Sequence, residues 1–88
     1  IQKIRSLNYQ TIALENTRGS MNILDLKRSD LSERISLVIG NEKTGVDPGI
    51  LKVSDFILSI PMVGQKESLN VSVAAGIATF HLIYLFRT

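Results

Sequence analysis

Residues 34–40 read Arg-Ile-Ser-Leu-Val-Ile-Gly, "RISLVIG". Ile35, Leu37, Val38 and Ile39 follow one another with a single serine among them, and Gly40 ends the run. The short length, the β-branched content and the terminal glycine predict a strand. The run does not alternate cleanly between apolar and polar, so both faces of the strand should be covered. That is the habit of strands in a parallel sheet.

Similar runs lie on either side. "QTIALEN" (10–16) holds a short apolar stretch, 11–14, closed by Glu15 and Asn16. It predicts a buried strand, followed by the loop "ENTRGS" with Gly19 as turn residue. "DFILSIPM" (55–62) predicts a third strand, and Pro61 suits its end. The mixed, polar "MNILDLKRSDLSER" (21–34) reads as one or two helical turns. In "NEKTGVDPGILKVS" (41–54), Gly45 marks a turn. Asp47 is placed to cap a short helix with Pro48 at its first position, although Gly49 weakens that helix. "VGQKES" (63–68) is a loop. From Ser68 or Asn70 to about Phe86 the chain reads as a helix, and either residue can supply the cap. This helix is apolar almost all round, so it is expected to be buried on more than one side. Ala74, Ala75, Gly76 and Ala78 are small enough for a neighbouring element to approach closely.

Strand, loop, strand, short helix, strand, long helix is the order of an α/β sheet with parallel neighbours. Ligands in such sheets bind beyond the carboxyl ends of the strands. The polar clusters "ENTRG", "GNEKTG" and "PMVGQKESLN" each follow a strand, so they should converge on one site.

Composition narrows the classes. An 88-residue chain holds one domain with a modest core. With 44% hydrophobic and 20% charged residues it is globular rather than disordered. The net charge of +2 is compatible with a nucleic-acid partner. There is no cysteine, which excludes disulfides, zinc–thiolate sites and cysteine nucleophiles. His81 is the only histidine and lies in the apolar helix, as a core or interface residue; no metal is expected. Residues 71–86 fall short of the roughly 20 needed to span a bilayer and include Ser72, Thr79 and His81, so no membrane span is expected. The first residues carry neither an initiator Met nor an apolar signal region, which suggests a processed chain or a fragment. Neither G-x-x-x-x-G-K-[ST] nor G-x-G-x-x-G occurs.

The strand ends offer a limited chemistry. Gly40 has no Cβ, so a ligand could approach its backbone. Glu42 could bind a ribose hydroxyl, a base edge or a cation, or it could be a solvated loop carboxylate. Ser68 and Asn70 stand where free helix N–H groups bind acceptors; they could cap the helix, touch a substrate, or both. Arg18 and Lys66, on two converging loops, are the better placed cations for a phosphate, whereas Lys43 and Lys52 read as surface charges.

"LVIGNEKTGV" (37–46) and "DFILSIPMVGQKESLNVSVAAGIATF" (55–80) closely resemble the second and third motifs of the SpoU family, ribose 2′-O-methyltransferases of tRNA and rRNA within the SPOUT superfamily. The motif-bearing region is 35–80, and the similarity includes Gly40, Asn41, Glu42, Gly45, Ile60, Pro61, Met62, Gly64, Ser68, Leu69 and Asn70. The resemblance implies an α/β-knot fold, a deep trefoil knot in which the C-terminal segment passes through a loop, one of the rare exceptions to unknotted chains. Residues 1–88 would be the C-terminal part of the catalytic domain, an N-terminally truncated portion. The implied cofactor is S-adenosylmethionine. Gly40, Ile60, Met62 and Leu69 would hold its adenosine part, with Leu14 and Glu15 lining the same pocket. Glu42, Ser68 and Asn70 would belong to the catalytic centre. An RNA partner, a homodimer and a cytoplasmic location are implied as well. The family's activating arginine lies in a first motif upstream; Arg5 and Asn8, in "IQKIRSLNYQ", do not read as that motif. The isolated chain is therefore expected to be inactive. A non-catalytic SPOUT-like module that binds RNA or dimerises is the alternative.

Overall fold

The computed structural model describes residues 9–17, 19–40, 45–61 and 71–87. Four strands form one sheet: β1 (Gln10–Leu14), β2 (Met21–Asn22), β3 (Ile35–Ile39) and β4 (Phe56–Ser59). Their order across the sheet is β2-β4-β1-β3, and every pairing is parallel. The expected parallel α/β architecture is present. β1 is central, which explains its apolar run: Thr11, Ile12 and Ala13 are wholly buried. Leu14 stands beside Ile39 on one flank and Leu58 on the other.

Two helices complete the layers. α1 (Pro48–Val53) begins as its sequence dictates: the Asp47 carboxylate accepts the Gly49 N–H at 2.7 Å and proline occupies the first turn. α2 (Val71–Phe86) lays Ala78 and Leu82 into a cluster with Ile12, Leu14, Ile23, Leu26 and Leu58. Ala74 and Leu85 pack at the edge of that cluster. Complete burial of a side chain such as Ile12 or Leu58 contributes about 1.5–3 kcal/mol.

The helix departs from expectation on its other side. Val73, Ile77, Phe80, Ile83 and Tyr84 are exposed, Phe80 at 74%. Ala74 and Ala78 of the small residues meet the core, Gly76 is exposed with nothing within 4 Å of a Cβ, and no described element covers the apolar stripe on the other side, so α2 is buried on one side only. The capping positions Ser68 and Asn70 lie outside the described residues. So does the stretch 62–70, on which the expected knot depends.

The segment between β1 and β3 forms two single 3₁₀ turns, Ile23–Asp25 and Arg28–Asp30, in line with the helical turns expected there. Asn22 opens the first by accepting the Leu24 N–H at 2.9 Å. Strand β2, at the sheet edge beside β4, was not expected from the sequence. Gln10 anchors the approach to β3: its amide nitrogen donates to the Asp30 carbonyl at 2.8 Å and its amide oxygen accepts the Ser32 N–H at 2.9 Å.

Candidate active site

Parallel pairing puts the carboxyl ends of all four strands on one edge. Leu14 ends β1, Gly40 follows β3, and Ile60 follows β4 just past the last registered pair, Asn22 with Ser59. Four residues singled out from the sequence, Leu14, Glu15, Gly40 and Ile60, therefore share this edge. Leu14 is buried, and Ile60 packs against the core cluster. Glu42, Met62, Ser68, Leu69 and Asn70 lie outside the described residues, as do Arg18, Lys43 and Lys66. Lys52, on α1, is exposed, as read from the sequence.

Glu15 is the hinge of the edge. Its N–H donates to the Leu58 carbonyl at 2.9 Å, which carries the β1–β4 ladder one residue further. Its side chain turns to the connection between β3 and α1, where Oε1 accepts the Val46 N–H at 3.0 Å. Val46 is only 3% exposed. Gly45, with φ of +71°, presses so close to this carboxylate that a Cβ there would collide with Oε1. A Cβ on Gly40 would collide with the backbone of Gly45 and Val46.

The space that a Cβ on Gly40 would take is occupied by the backbone of Gly45 and Val46. Gly45 is the turn glycine it was expected to be, with the added demand that it admit Glu15. The Glu15–Val46 tie was not read from the sequence. Two glycines bracketing a polar tetrapeptide, with one apolar valine at its exit, were the available signal.

His81 stands apart from the edge. It lies ten residues along α2 from Val71, about 15 Å down the helix axis. Its Nε2 is buried without a hydrogen-bond partner among the described residues, and its ring stacks on Tyr84 with centroids 6.5 Å apart. The core-or-interface reading fits that place. Among the described residues no three His, Cys, Asp or Glu side chains gather where a metal could be held. Nor is any helix among them long and apolar enough to cross a membrane.

Comparison with known proteins agrees with this geometry. The SpoU rRNA Methylase family matches residues 1–80. The 23S rRNA (guanosine(2553)-2′-O)-methyltransferase RlmP of Bacillus subtilis (strain 168) is 51% identical over 51 residues, 58% of this chain and 21% of that protein. The tRNA (guanosine(18)-2′-O)-methyltransferase of Aquifex aeolicus (strain VF5) is 36% identical over 83 residues, 91% of this chain and 38% of that protein. The chain thus spans well under half the length of these relatives. The crystal structure of the A. aeolicus TrmH/SpoU tRNA modifying enzyme superposes with a TM-score of 0.83 at 31% identity, covering 98% of this chain and 42% of that one. An AdoMet-bound rRNA methyltransferase from Sinorhizobium meliloti shares the fold, with a TM-score of 0.79 at 22% identity over 97% of this chain and 33% of that one. A match over most of the chain, with relatives and fold in agreement, leaves one conclusion: the chain belongs to the SpoU rRNA methylase family.

Proposed function

We propose that the protein carrying this chain methylates a ribose 2′-hydroxyl of tRNA or rRNA, with S-adenosylmethionine as methyl donor. The observation that supports it most directly is the shared edge at the ends of four parallel strands, in a chain of the SpoU family.

The residues at that edge suit the adenosine half of such a donor. An adenosine site needs apolar walls and a few fixed backbone donors and acceptors. Leu14 and Ile60 supply apolar surface, and the backbone of Gly40 and Ile60 lies beyond the last ladder pairs. Glu15 contributes the end of β1, and Met62 and Leu69 complete the proposed wall. When bound, the cofactor supplies an electrophilic methyl group on a sulfonium. Glu42, Ser68 and Asn70 are assigned to the centre where the ribose is received. Their work is to hold the hydroxyl in line and to accept or share its proton, because transfer depends on alignment and on a free oxygen lone pair. The activating arginine is assigned to the family's first motif, so methyl transfer belongs to the full-length protein.

We further assign the exposed stripe of α2 to a homodimer contact. Val73, Ile77, Phe80 and Tyr84 recur at helical spacing and form an apolar face. A cytoplasmic location accords with an RNA substrate.

The test is calorimetric titration of the full-length protein with S-adenosylhomocysteine, beside a Leu69→Arg variant, followed by methyl transfer to unmodified tRNA and rRNA. Saturable binding that the variant loses, together with 2′-O-methylated product, is expected. Binding without transfer to either RNA would favour a non-catalytic module. No binding by folded protein would end the cofactor reading.

A further inference from the structure

We infer that Glu15 is a positioning residue: its carboxylate braces the β3–α1 connection against the end of β1 and so shapes the cofactor end of the sheet. This rests on the methyltransferase reading for its functional consequence and on the described geometry for the brace itself.

The brace is built from contacts of Glu15. The Val46 N–H donates to Oε1 at 3.0 Å, across 31 residues of sequence. Val46 is nearly sealed from solvent, and its N–H has no other acceptor among the described residues. A buried N–H must be satisfied by the protein, so the carboxylate is not an optional contact. Gly45 and Gly40 then close the space around it. Each lacks a Cβ that would collide, Gly45 with Glu15 and Gly40 with the Gly45 backbone. Glu15 itself is fixed by its N–H to the Leu58 carbonyl at 2.9 Å, so the brace is mounted on the ladder. Glu15 thus ties the end of β1 to β4 through its N–H and to the β3–α1 connection through its carboxylate, at the edge where ligands of parallel sheets bind. One of its oxygens, Oε1, accepts within the chain. A contact with the cofactor is not needed to explain it.

An amide oxygen can accept the Val46 N–H as a carboxylate does, while an alanine cannot. Glu15→Ala and Glu15→Gln in the full-length protein therefore separate positioning from direct charge recognition. The readouts are hydrogen exchange at the Val46 amide in cofactor-free protein, the melting temperature, and affinity for S-adenosylhomocysteine. Positioning predicts that Val46 is protected in the unaltered protein and in Glu15→Gln, and exchanges freely in Glu15→Ala. It predicts about a tenfold or greater loss of affinity in Glu15→Ala, with recovery to within about threefold in Glu15→Gln.

Three results would overturn it. Unchanged Val46 exchange in Glu15→Ala would remove the brace. A lower melting temperature with unaltered affinity would reduce Glu15 to a structural role. Loss of affinity in Glu15→Gln with Val46 still protected would mean that the charge meets the cofactor directly. This last comparison decides the matter even if Glu15→Ala fails to fold. Should the unaltered protein not bind S-adenosylhomocysteine, the positioning role falls with the cofactor reading, and Val46 exchange would still show whether the brace exists.

Discussion

Thr11 and Asp55 are joined twice across the sheet. The Thr11 N–H donates to Asp55 Oδ2 at 2.8 Å, and the Asp55 N–H donates to the Thr11 carbonyl at 2.8 Å. The pair sets where β4 starts against β1, and with it the register that brings Leu14 beside Leu58. A one-residue slip would turn every β4 side chain to the wrong face. Asp55→Ala leaves the N–H of a wholly buried residue without its acceptor and should cost about 1–3 kcal/mol. Asp55→Asn keeps an oxygen at the same place and should cost clearly less. Urea unfolding of both variants checks this; equal losses would mean that the side-chain acceptor is unimportant.

The hydroxyl of the same threonine points the other way energetically. Thr11 Oγ1 is buried and has no partner among the described residues. Thr11→Val keeps the shape, keeps both backbone bonds to Asp55 and removes a desolvated polar atom. It should raise stability by about 1 kcal/mol, seen as a higher urea midpoint at unchanged slope. A loss of stability would show that Oγ1 has a partner after all.

These two residues mark what could be read in the sequence. The runs around Ile12, Val38 and Ile57 announced themselves as strands by their unbroken apolar content, but burial on both faces holds for β1 alone: β3 lies at the sheet edge and is half-buried throughout. The Asp47–Pro48 helix start was legible because a cap and a helix-initiating proline act within three residues. β2 was not: Met21 and Asn22 are too few to show a period, and their place comes from pairing with Leu58 and Ser59. The Glu15–Val46 and Thr11–Asp55 ties are long-range, 31 and 44 residues apart, so no local pattern encodes them. The α2 sequence is apolar on every side, which cannot tell a face that meets the sheet from one that awaits another surface. At the candidate site, the strand order revealed the shared edge, but not that Gly45 fills the space beside Gly40.

Two glycines with positive φ make a controlled comparison. Gly19 (φ 89°) has nothing within 4 Å of a Cβ, whereas Gly45 (φ 71°) has the Glu15 carboxylate in the way. Gly19→Ala should therefore cost only the left-handed backbone penalty, about 1–2 kcal/mol. Gly45→Ala carries that penalty and must also displace Glu15 from Val46, so it should cost at least about 1 kcal/mol more. Denaturant midpoints of the two variants give the difference. Equal values would mean that Glu15 moves aside without cost.

The exposed stripe of α2 carries the last prediction. Phe80 is 74% exposed, with Ile77 one turn before it and Tyr84 one turn after. Leaving this much apolar surface in water forgoes stabilisation that burial against a second copy would recover. If that face is the homodimer contact, Phe80→Glu places a charge at its centre with no described counter-charge, while leaving the Ala78–Leu82 side on the sheet untouched. The full-length variant should then sediment as a monomer at concentrations where the unaltered protein is a dimer, with its circular dichroism preserved. Thr79→Glu, on the neighbouring exposed position, controls for added charge as such. A dimer that survives Phe80→Glu would assign the stripe to contacts within the longer chain rather than between copies.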